Sequence, residues 1–408
     1  MNIKTTLKST VAVAALFAVA APVANAADDT FKSGNKNSLK ISGQVARALW
    51  HADDGVSEKV FNTESSWTSS RVRWIASGKV NENVTAGATI EAQIPSSNAA
   101  ASMTLGTQQA DGTQNAAGIW GVRHQYVWVS HKKFGKLTLG NTDPGSNGSS
   151  EANYSMNGMF GGSAPADYGS GIFYQNTATA SAPTASTATV GAATTNIDGI
   201  SRTDVVRYDT PRFVGVQAKV GLMAAGNWDV GLNYAGKFGP VKVKAKAGYA
   251  DTNAAASANF NASGSITALH DSGLNATFAI GKTNYAGGAS KSVDGQANGN
   301  AQAVDTNFDG VADPHFVYYA VGYNAKIFGA GGTGFLFGYN HAENVVQLAN
   351  HDDNESDNYS FSVVQKFDSI GAQIGLKYQS HSYDSKTNTV QNTFDDVDVI
   401  ALQTVFAF

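Results

Sequence analysis

The sequence contains no cysteine, which excludes disulfide bonds, thiol catalysis and zinc–thiolate sites. No segment beyond the N-terminal leader is apolar enough to form a membrane-spanning helix, which needs about 20 apolar residues. The charge is slightly negative, with 28 basic and 32 acidic residues. A chain of this charge is not an expected partner for nucleic acid.

The first 26 residues have the pattern of an export signal. Lys4 and Lys8 give a positive start, Val11–Ala24 is a short apolar run, and Ala24-Asn25-Ala26 is a small-residue cleavage motif. The apolar run is too short for a membrane anchor. We therefore predict a signal peptide at 1–26, cleaved after Ala26, and a mature domain at 27–408.

The composition of the mature part is typical of a transmembrane β-barrel. The chain has 43 glycines and 35 phenylalanines and tyrosines, but only 8 prolines. In such a barrel one face of each strand meets lipid and the other meets water, so the average composition looks soluble. A soluble, secreted β protein is the alternative that this composition leaves open.

Alternation of apolar and polar residues is the dominant pattern along the chain. In GPVKVKAKAGYAD, Val241, Val243 and Ala245 share one face of a strand, and lysines occupy the other face. About sixteen such strands are predicted, an even number as bacterial barrels require. Their approximate spans are 38–50, 67–80, 84–94, 119–131, 136–141, 203–209, 213–223, 227–237, 241–251, 264–270, 274–284, 315–328, 333–345, 358–367, 371–384 and 395–408.

The connections between these strands fall into two sets. One set consists of short turns such as KFGP at Lys237–Pro240 and HDSG at His270–Gly273. The other set is longer and polar, which predicts short periplasmic turns and long extracellular loops. The long connections are 51–66, 95–117, 142–202, 252–263, 286–314, 347–356 and 385–393.

Two predicted strands do not alternate cleanly. In Val122–His131 both faces are partly apolar, as expected of a strand that packs against another subunit. In the first strand Arg47 shares the parity of Ile41 and Val45, so we expect a bulge or an early exit from the membrane there.

No catalytic motif stands out in the sequence. The eight histidines are scattered, without metal-binding spacing, and neither a nucleophile elbow nor a phosphate-binding loop occurs in the required context. A Ser–His or Asp–His pair assembled at a barrel rim is not excluded by sequence. We predict that the protein is not an enzyme.

The charged residues that alternate with the apolar face should line the lumen. They are mostly basic and would create a positive field that biases which ions pass. As candidate pore-lining residues we assign Arg71, Arg73, Glu91, Arg207, Lys219, Lys242, Lys244, Lys246 and Lys377.

The connection 142–202 is the longest, and long loops of this kind are usually functional or disordered. Its first part holds three acids, Asp143, Glu151 and Asp167, together with apolar anchors such as Phe160. Folded into a basic-walled barrel, it would form a constriction with opposite charges across it. Its second part, near 177–195, is of low complexity.

One segment, DTNFDGVAD, resembles a calcium-binding loop. Asp305, Asn307, Asp309, Val311 and Asp313 occupy positions 1, 3, 5, 7 and 9. The bidentate Glu expected at position 12 is replaced by Phe, and an ordinary acidic turn is the alternative. No cofactor is required, and we predict only a possible structural Ca²⁺.

Three segments resemble the general-diffusion porins of Gram-negative outer membranes. Val205–Leu222 looks like the strand–turn–strand that follows the porin constriction loop, with its core RYDTP at Arg207–Pro211. FGKLTLG at Phe134–Gly140 resembles the strand that leads into that loop, and Leu39–Gly55 is similar to the first strand of the family.

The resemblance implies a sixteen-stranded, homotrimeric barrel in the outer membrane of a Gram-negative cell, with a third loop folded into the pore. It implies arginines Arg71, Arg73 and Arg207 facing carboxylates of that loop, with Asp143, Glu151 and Asp167 as candidates. It further implies outer-membrane lipid and lipopolysaccharide as surroundings, and a terminal Phe408 read as a signal by the barrel-assembly machinery.

From these observations we expect a passive channel for small hydrophilic solutes and ions. The sign of its ion selectivity is left open, because acidic residues at 351–357 oppose the basic wall. The alternatives are a substrate-specific channel, a barrel hydrolase and an adhesin. The apolar C-terminal strand, VIALQTVFAF, should pair with the first strand, so that no sheet edge is left unpaired in lipid.

Overall fold

A computed structural model describes residues 30–32, 37–65, 67–94, 103–105, 120–164, 166–176, 188–252, 258–285, 313–346, 352–387 and 390–408. The predicted signal peptide lies outside these ranges. The described part of the chain is almost entirely β-structure. Its strands are β1 (Thr30–Lys32), β2 (Ser38–Asp53), β3 (Glu58–Thr63), β4 (Arg71–Lys79), β5 (Val84–Gln93), β6 (Gly121–His131), β7 (Gly135–Thr142), β8 (Thr203–Asp209), β9 (Val216–Met223), β10 (Trp228–Phe238), β11 (Val241–Asp251), β12 (Ala258–His270), β13 (Leu274–Tyr285), β14 (His315–Ala325), β15 (Thr333–Glu343), β16 (Asp352–Phe367), β17 (Ala372–Thr387), β18 (Val390–Thr393) and β19 (Val397–Ala407).

These strands form one closed antiparallel sheet. Most strands pair with their neighbours in the chain, and the last strand, β19, pairs with β2 to close the barrel. Strands β3 and β4 both pair with β2, and β18 and β19 both pair with β17. Each of these two pairs of strands therefore occupies the position of a single barrel strand. The barrel therefore has sixteen strands, as predicted, and the short β1 lies against the start of β2.

The two faces of the barrel differ in chemistry as the alternation predicted. In β19, Val399 and Ala401 are buried inside, whereas Ile400 and Leu402 are 49% and 41% exposed outside. The pleat sends successive side chains to opposite faces, so the same pattern recurs around the barrel. Large apolar residues exposed on the outer face include Leu49, Leu139, Leu222, Leu232, Ile280, Phe337, Phe361 and Leu376.

The connections are short at one end of the barrel and mostly long at the other. The turns 80–83, 132–134, 239–240, 271–273 and 368–371 all lie at the end where β2 begins and β19 ends. The long connection 143–202 leaves from the opposite end. No helix in the described ranges is long and apolar enough to cross a membrane.

Two details of the first strands differ from the sequence expectation. The predicted loop 51–66 is mostly strand, because β2 continues to Asp53 and β3 pairs with it from Glu58. No bulge interrupts β2 at Arg47, whose register with β19 is continuous. Uninterrupted alternation places Arg47 on the outer face, where Asn62 accepts a hydrogen bond from its guanidinium at 2.8 Å.

Candidate functional site: the bore and its inner loop

The first part of the inner loop, 143–153, lies against the wall formed by β10 to β12. The buried carboxylate of Asp229 accepts hydrogen bonds from the backbone N–H of Ser146 at 2.6 Å and from its hydroxyl at 2.7 Å. Gly231 makes room for this contact, since a Cβ there would overlap the carbonyl oxygen of Gly145. Lys246 donates to the carbonyl of Gly148 at 2.9 Å.

The middle of the loop continues along β14 to β17. The side chain of Asn324 accepts from the N–H of Met156 at 3.1 Å, and Asn157 donates to the hydroxyl of Ser362 at 2.8 Å. Further along, the ammonium of Lys377 donates to the carbonyl of Phe160 at 3.2 Å. These contacts cover polar groups of the wall with loop atoms, so this part of the wall does not face the bore.

The second part of the loop forms the apolar core of the barrel interior. Tyr168 donates to Gln403 at 2.7 Å and packs on Trp50, with ring centroids 5.8 Å apart. Tyr174 stacks on Tyr383 at 5.0 Å between centroids. Together with Phe160 and Ile172, these rings bury the side of the loop that faces β17, β19 and β2.

The segment between β3 and β4 also folds into the barrel and meets the loop. Thr68 donates to the carbonyl of Met159 at 3.2 Å, and the ring of Trp67 lies against Gly161. The loop contacts described above therefore follow the wall from β10 round to β3. The arc from β4 to β8 remains as the wall across the bore, which we call the bare wall.

The bare wall carries a cluster of one carboxylate and three guanidiniums. Glu91 on β5 is fully buried; Nε of Arg73 lies 2.6 Å from its Oε2, and Nε of Arg123 lies 2.9 Å from its Oε1. Arg71 reaches the same carboxylate at 3.4 Å. Arg73 and Glu91 are directly opposite in the register of β4 and β5, which explains why they meet.

Arg123 reaches this cluster through a β-bulge. Its neighbours Val127 and Val129 are exposed on the outer face, so strict alternation would send Arg123 outward. The register between β5 and β6 shifts at this point: Glu91 pairs with His124 and Ala92 pairs with Val122. Sequence reasoning missed Arg123, and the only signal was the imperfect alternation of Val122–His131.

Two further arginines lie where the inner loop joins the wall. Arg202 lies 3.7 Å from the carboxylate of Asp143. Arg207 binds Asp209 at 2.8 Å and also donates to the backbone carbonyl of Asp143. The expected pairing of Arg71 and Arg73 with loop acids is therefore replaced by pairing with Glu91, which belongs to the wall.

The predicted lysines all lie on inward-facing positions, but several do not face the open bore. Lys219 is 5% and Lys377 is 4% exposed, because the loop covers both. Lys244 lies under the loop edge, with its ammonium 4.1 Å from the ring centre of Tyr154. Lys242, near the short-turn end, is exposed.

The loop acids are compensated in different ways. Asp167 is buried and accepts from Lys377 at 2.8 Å; burial nevertheless raises its pKa. Burial raises the pKa of Glu151 to about 8, and the carboxylate of Asp198 adds to this shift while Lys246 opposes it. Glu151 therefore carries little charge at neutral pH.

The calcium-like segment lies outside the described residues except for Asp313. Its carboxylate is 3.0 Å from the ammonium of Lys282 and accepts from Asn284 at 3.0 Å. In the described ranges no group of three or more potential metal ligands converges. Calcium binding at Asp305–Asp313 stays a prediction.

Comparison with known proteins agrees with the barrel fold described above. The model of the Gram-negative porin family matches residues 10–386. No curated protein sequence matches the chain significantly. Among solved structures, OmpT, an outer membrane protein of Vibrio cholerae, superposes with a TM-score of 0.54 at 15% identity, covering 93% of this chain and 100% of that one.

Two other solved structures share the fold at low identity. An anion-selective porin from Comamonas acidovorans has a TM-score of 0.55 at 13% identity and covers 91% of this chain and 100% of its own. The outer membrane channel DcaP of Acinetobacter baumannii has a TM-score of 0.52 at 12% identity, with 93% and 99% covered.

A closed barrel with an apolar outer face and a charged, loop-narrowed interior defines an outer-membrane channel. Because the family model covers nearly the whole sequence, the chain belongs to the Gram-negative porin family. It lies in the outer membrane and provides a passive path for small hydrophilic solutes and ions.

Proposed function

We propose that the protein is a non-enzymatic, general-diffusion channel whose bore prefers anions. The observation that carries this proposal is the cluster of Arg71, Arg73 and Arg123 around Glu91. A guanidinium is always charged, so one carboxylate leaves a local excess of positive charge on the bare wall. Such a field raises the local concentration of anions and lowers that of cations.

The inner loop does little to cancel this excess. Asp143 lies beside Arg202, and Asp167 is buried against Lys377. Glu151 is largely protonated at neutral pH. These contacts favour an anion preference, which the sequence alone left open.

Reversal potentials in a KCl gradient across planar bilayers test the proposal. The wild-type protein should give stepwise conductance with a reversal potential on the chloride side. Arg123→Gln should shift it toward zero, whereas Lys282→Gln, on the outer face, should leave it unchanged. Folded protein without conductance steps would contradict the channel, and a potassium-side potential would contradict only the preference.

The side chains support a channel rather than a hydrolase. The Asp–His contact near the barrel rim joins Nδ1 of His341 to Asp357 at 2.9 Å, but Nε2 of the same ring lies 2.9 Å from Glu343. Both ring nitrogens thus face carboxylates, and neither is free to activate a nucleophile. The pair also lies on the outer face, away from the bore. An adhesin would give no conductance.

We also infer a homotrimer. One structure of V. cholerae OmpT is described as a trimer form; it is 16% identical, with a TM-score of 0.54. On this chain the polar pair Arg47 and Asn62 lies on the outer face, where lipid would be an unfavourable neighbour. The mass of the unheated, detergent-extracted protein tests this: about three chains are expected, and a monomer mass would contradict it.

A further inference from the structure

We propose that the bare wall carries a binding subsite for small aromatic carboxylates, formed by Trp128, Tyr126 and Lys136. This inference rests on the proposed channel function, because a solute reaches these residues only through the bore. It adds a chemical preference that neither barrel shape nor the arginine cluster supplies.

The orientation of β6 places two aromatic rings inside the barrel. Val127 and Val129 are 54% and 49% exposed on the outer face. Tyr126 and Trp128 alternate with them along β6 and therefore point inward. Both rings are partly exposed. Interfacial aromatic girdles of barrels face outward, so a girdle does not explain these two residues.

The indole of Trp128 lies against Gly87 of the neighbouring strand. Gly87 is directly opposite Trp128 in the register of β5 and β6. A Cβ on Gly87 would lie 2.6 Å from Cζ2 of the indole, so the missing side chain is what lets the ring lie close to the sheet. The wall thus covers part of the indole, and the ring as a whole stays partly exposed.

The ammonium of Lys136, on β7, lies over both rings. It is 5.0 Å from the ring centre of Trp128 and 5.7 Å from that of Tyr126. These distances are within the range of cation–π attraction. The lysine stem is flexible, so the ammonium can leave the ring face and remain within reach of a solute bound there.

This arrangement fits a planar ring that carries a carboxylate. The ring replaces the ammonium on the indole face, and the displaced ammonium pairs with the carboxylate. A saturated ring of similar size can form the ion pair but loses the offset aromatic stacking, which is worth about a two- to tenfold difference in affinity. Arg123, on the same strand β6, raises the local concentrations of the aromatic and the saturated acid equally.

Block of single-channel current by benzoate and by cyclohexanecarboxylate tests the subsite. For the wild type, the half-blocking concentration of benzoate should be about two- to tenfold lower. Trp128→Leu should abolish the difference, and Lys136→Met should weaken block by both acids. Trp74→Leu is the matched control, since Trp74 pairs with the outward Ile41 and Ile90 and faces away from the bore.

Equal block of the wild type by the two acids would overturn the subsite, and so would a difference that survives Trp128→Leu. If Trp128→Leu fails to insert, Trp128→Phe takes its place and should reduce the benzoate preference without removing it; an unchanged preference would count against the site. Failure of the channel proposal has a separate signature, because the wild type would then show no KCl conductance at all.

Discussion

Phe408 and Gly43 are paired across the seam where the last strand meets the first. The N–H of Gly43 donates to the carbonyl of Phe408 at 2.8 Å, and the N–H of Phe408 donates back at 3.0 Å. A Cβ on Gly43 would lie 2.6 Å from Cζ of the phenyl ring and 2.7 Å from the carbonyl oxygen of Arg71. The ring thus covers the glycine on the outer face, in the way that an aromatic residue shields a strand glycine from its surroundings.

Gly43→Ala should therefore reduce the yield of folded barrel. The added methyl group must displace both the ring and a backbone carbonyl at the closing seam, and overpacking of this kind typically costs about 1–3 kcal/mol. The folded fraction can be measured from the mobility of unheated samples on SDS gels. Gly121→Ala is the control, because no atom lies within 4 Å of a Cβ at that position.

Removal of Phe408 should act on the same seam. It deletes the ring and both backbone bonds to Gly43, so assembly should fall more than the conductance of the barrels that do form. The readouts are outer-membrane yield and single-channel conductance. A normal yield with altered conductance would contradict both this prediction and the proposed role of Phe408 as an assembly signal.

Gly231→Ala should alter the size limit of the bore. The new Cβ would overlap the carbonyl oxygen of Gly145, so the loop must shift there and the adjacent bond from Ser146 to Asp229 is strained. Conductance and liposome swelling in sugars of increasing size measure the effect, and we expect both to change without loss of the folded barrel. Gly329→Ala, at a position with open space, should change neither.

The barrel could be predicted from sequence because its pattern is local. Alternation with a period of two fixes which residues face lipid, and the strand Val241–Asp251 was placed with its observed bounds. The bulge at Arg123 could not be predicted, because one extra residue reverses the parity without a distinctive sequence signal.

The charge pairs of the interior depend on contacts distant in sequence. Alternation predicts an inward Lys219, but it cannot show that the loop covers this lysine. Likewise, Arg73 meets Glu91 because two strands share a register, whereas the resemblance favoured a loop acid as its partner. A loop path is set by scattered contacts such as Asp229 with Ser146, and these have no periodic signature.

Lys377→Met should destabilise the barrel and its loop. It would leave the carboxylate of Asp167 buried without its cation, and breaking a buried pair in this way costs about 3–5 kcal/mol. The double variant Lys377→Met with Asp167→Asn removes both charges and should recover most of that loss. Urea unfolding of the two variants and the wild type measures the coupling; equal stability of the single and double variants would argue against it.

The anion preference should fall as pH rises from 7 to 9. Glu151, with a pKa of about 8, is mostly neutral below that value and ionised above it, so raising the pH adds a negative charge beside Lys246. The reversal potential in a KCl gradient should move toward zero over this range, and Glu151→Gln should reduce the change. Glu82→Gln, in an exposed turn, should keep the wild-type dependence. A wild-type potential that is constant between pH 7 and 9 would show that Glu151 does not contribute to the field in the bore.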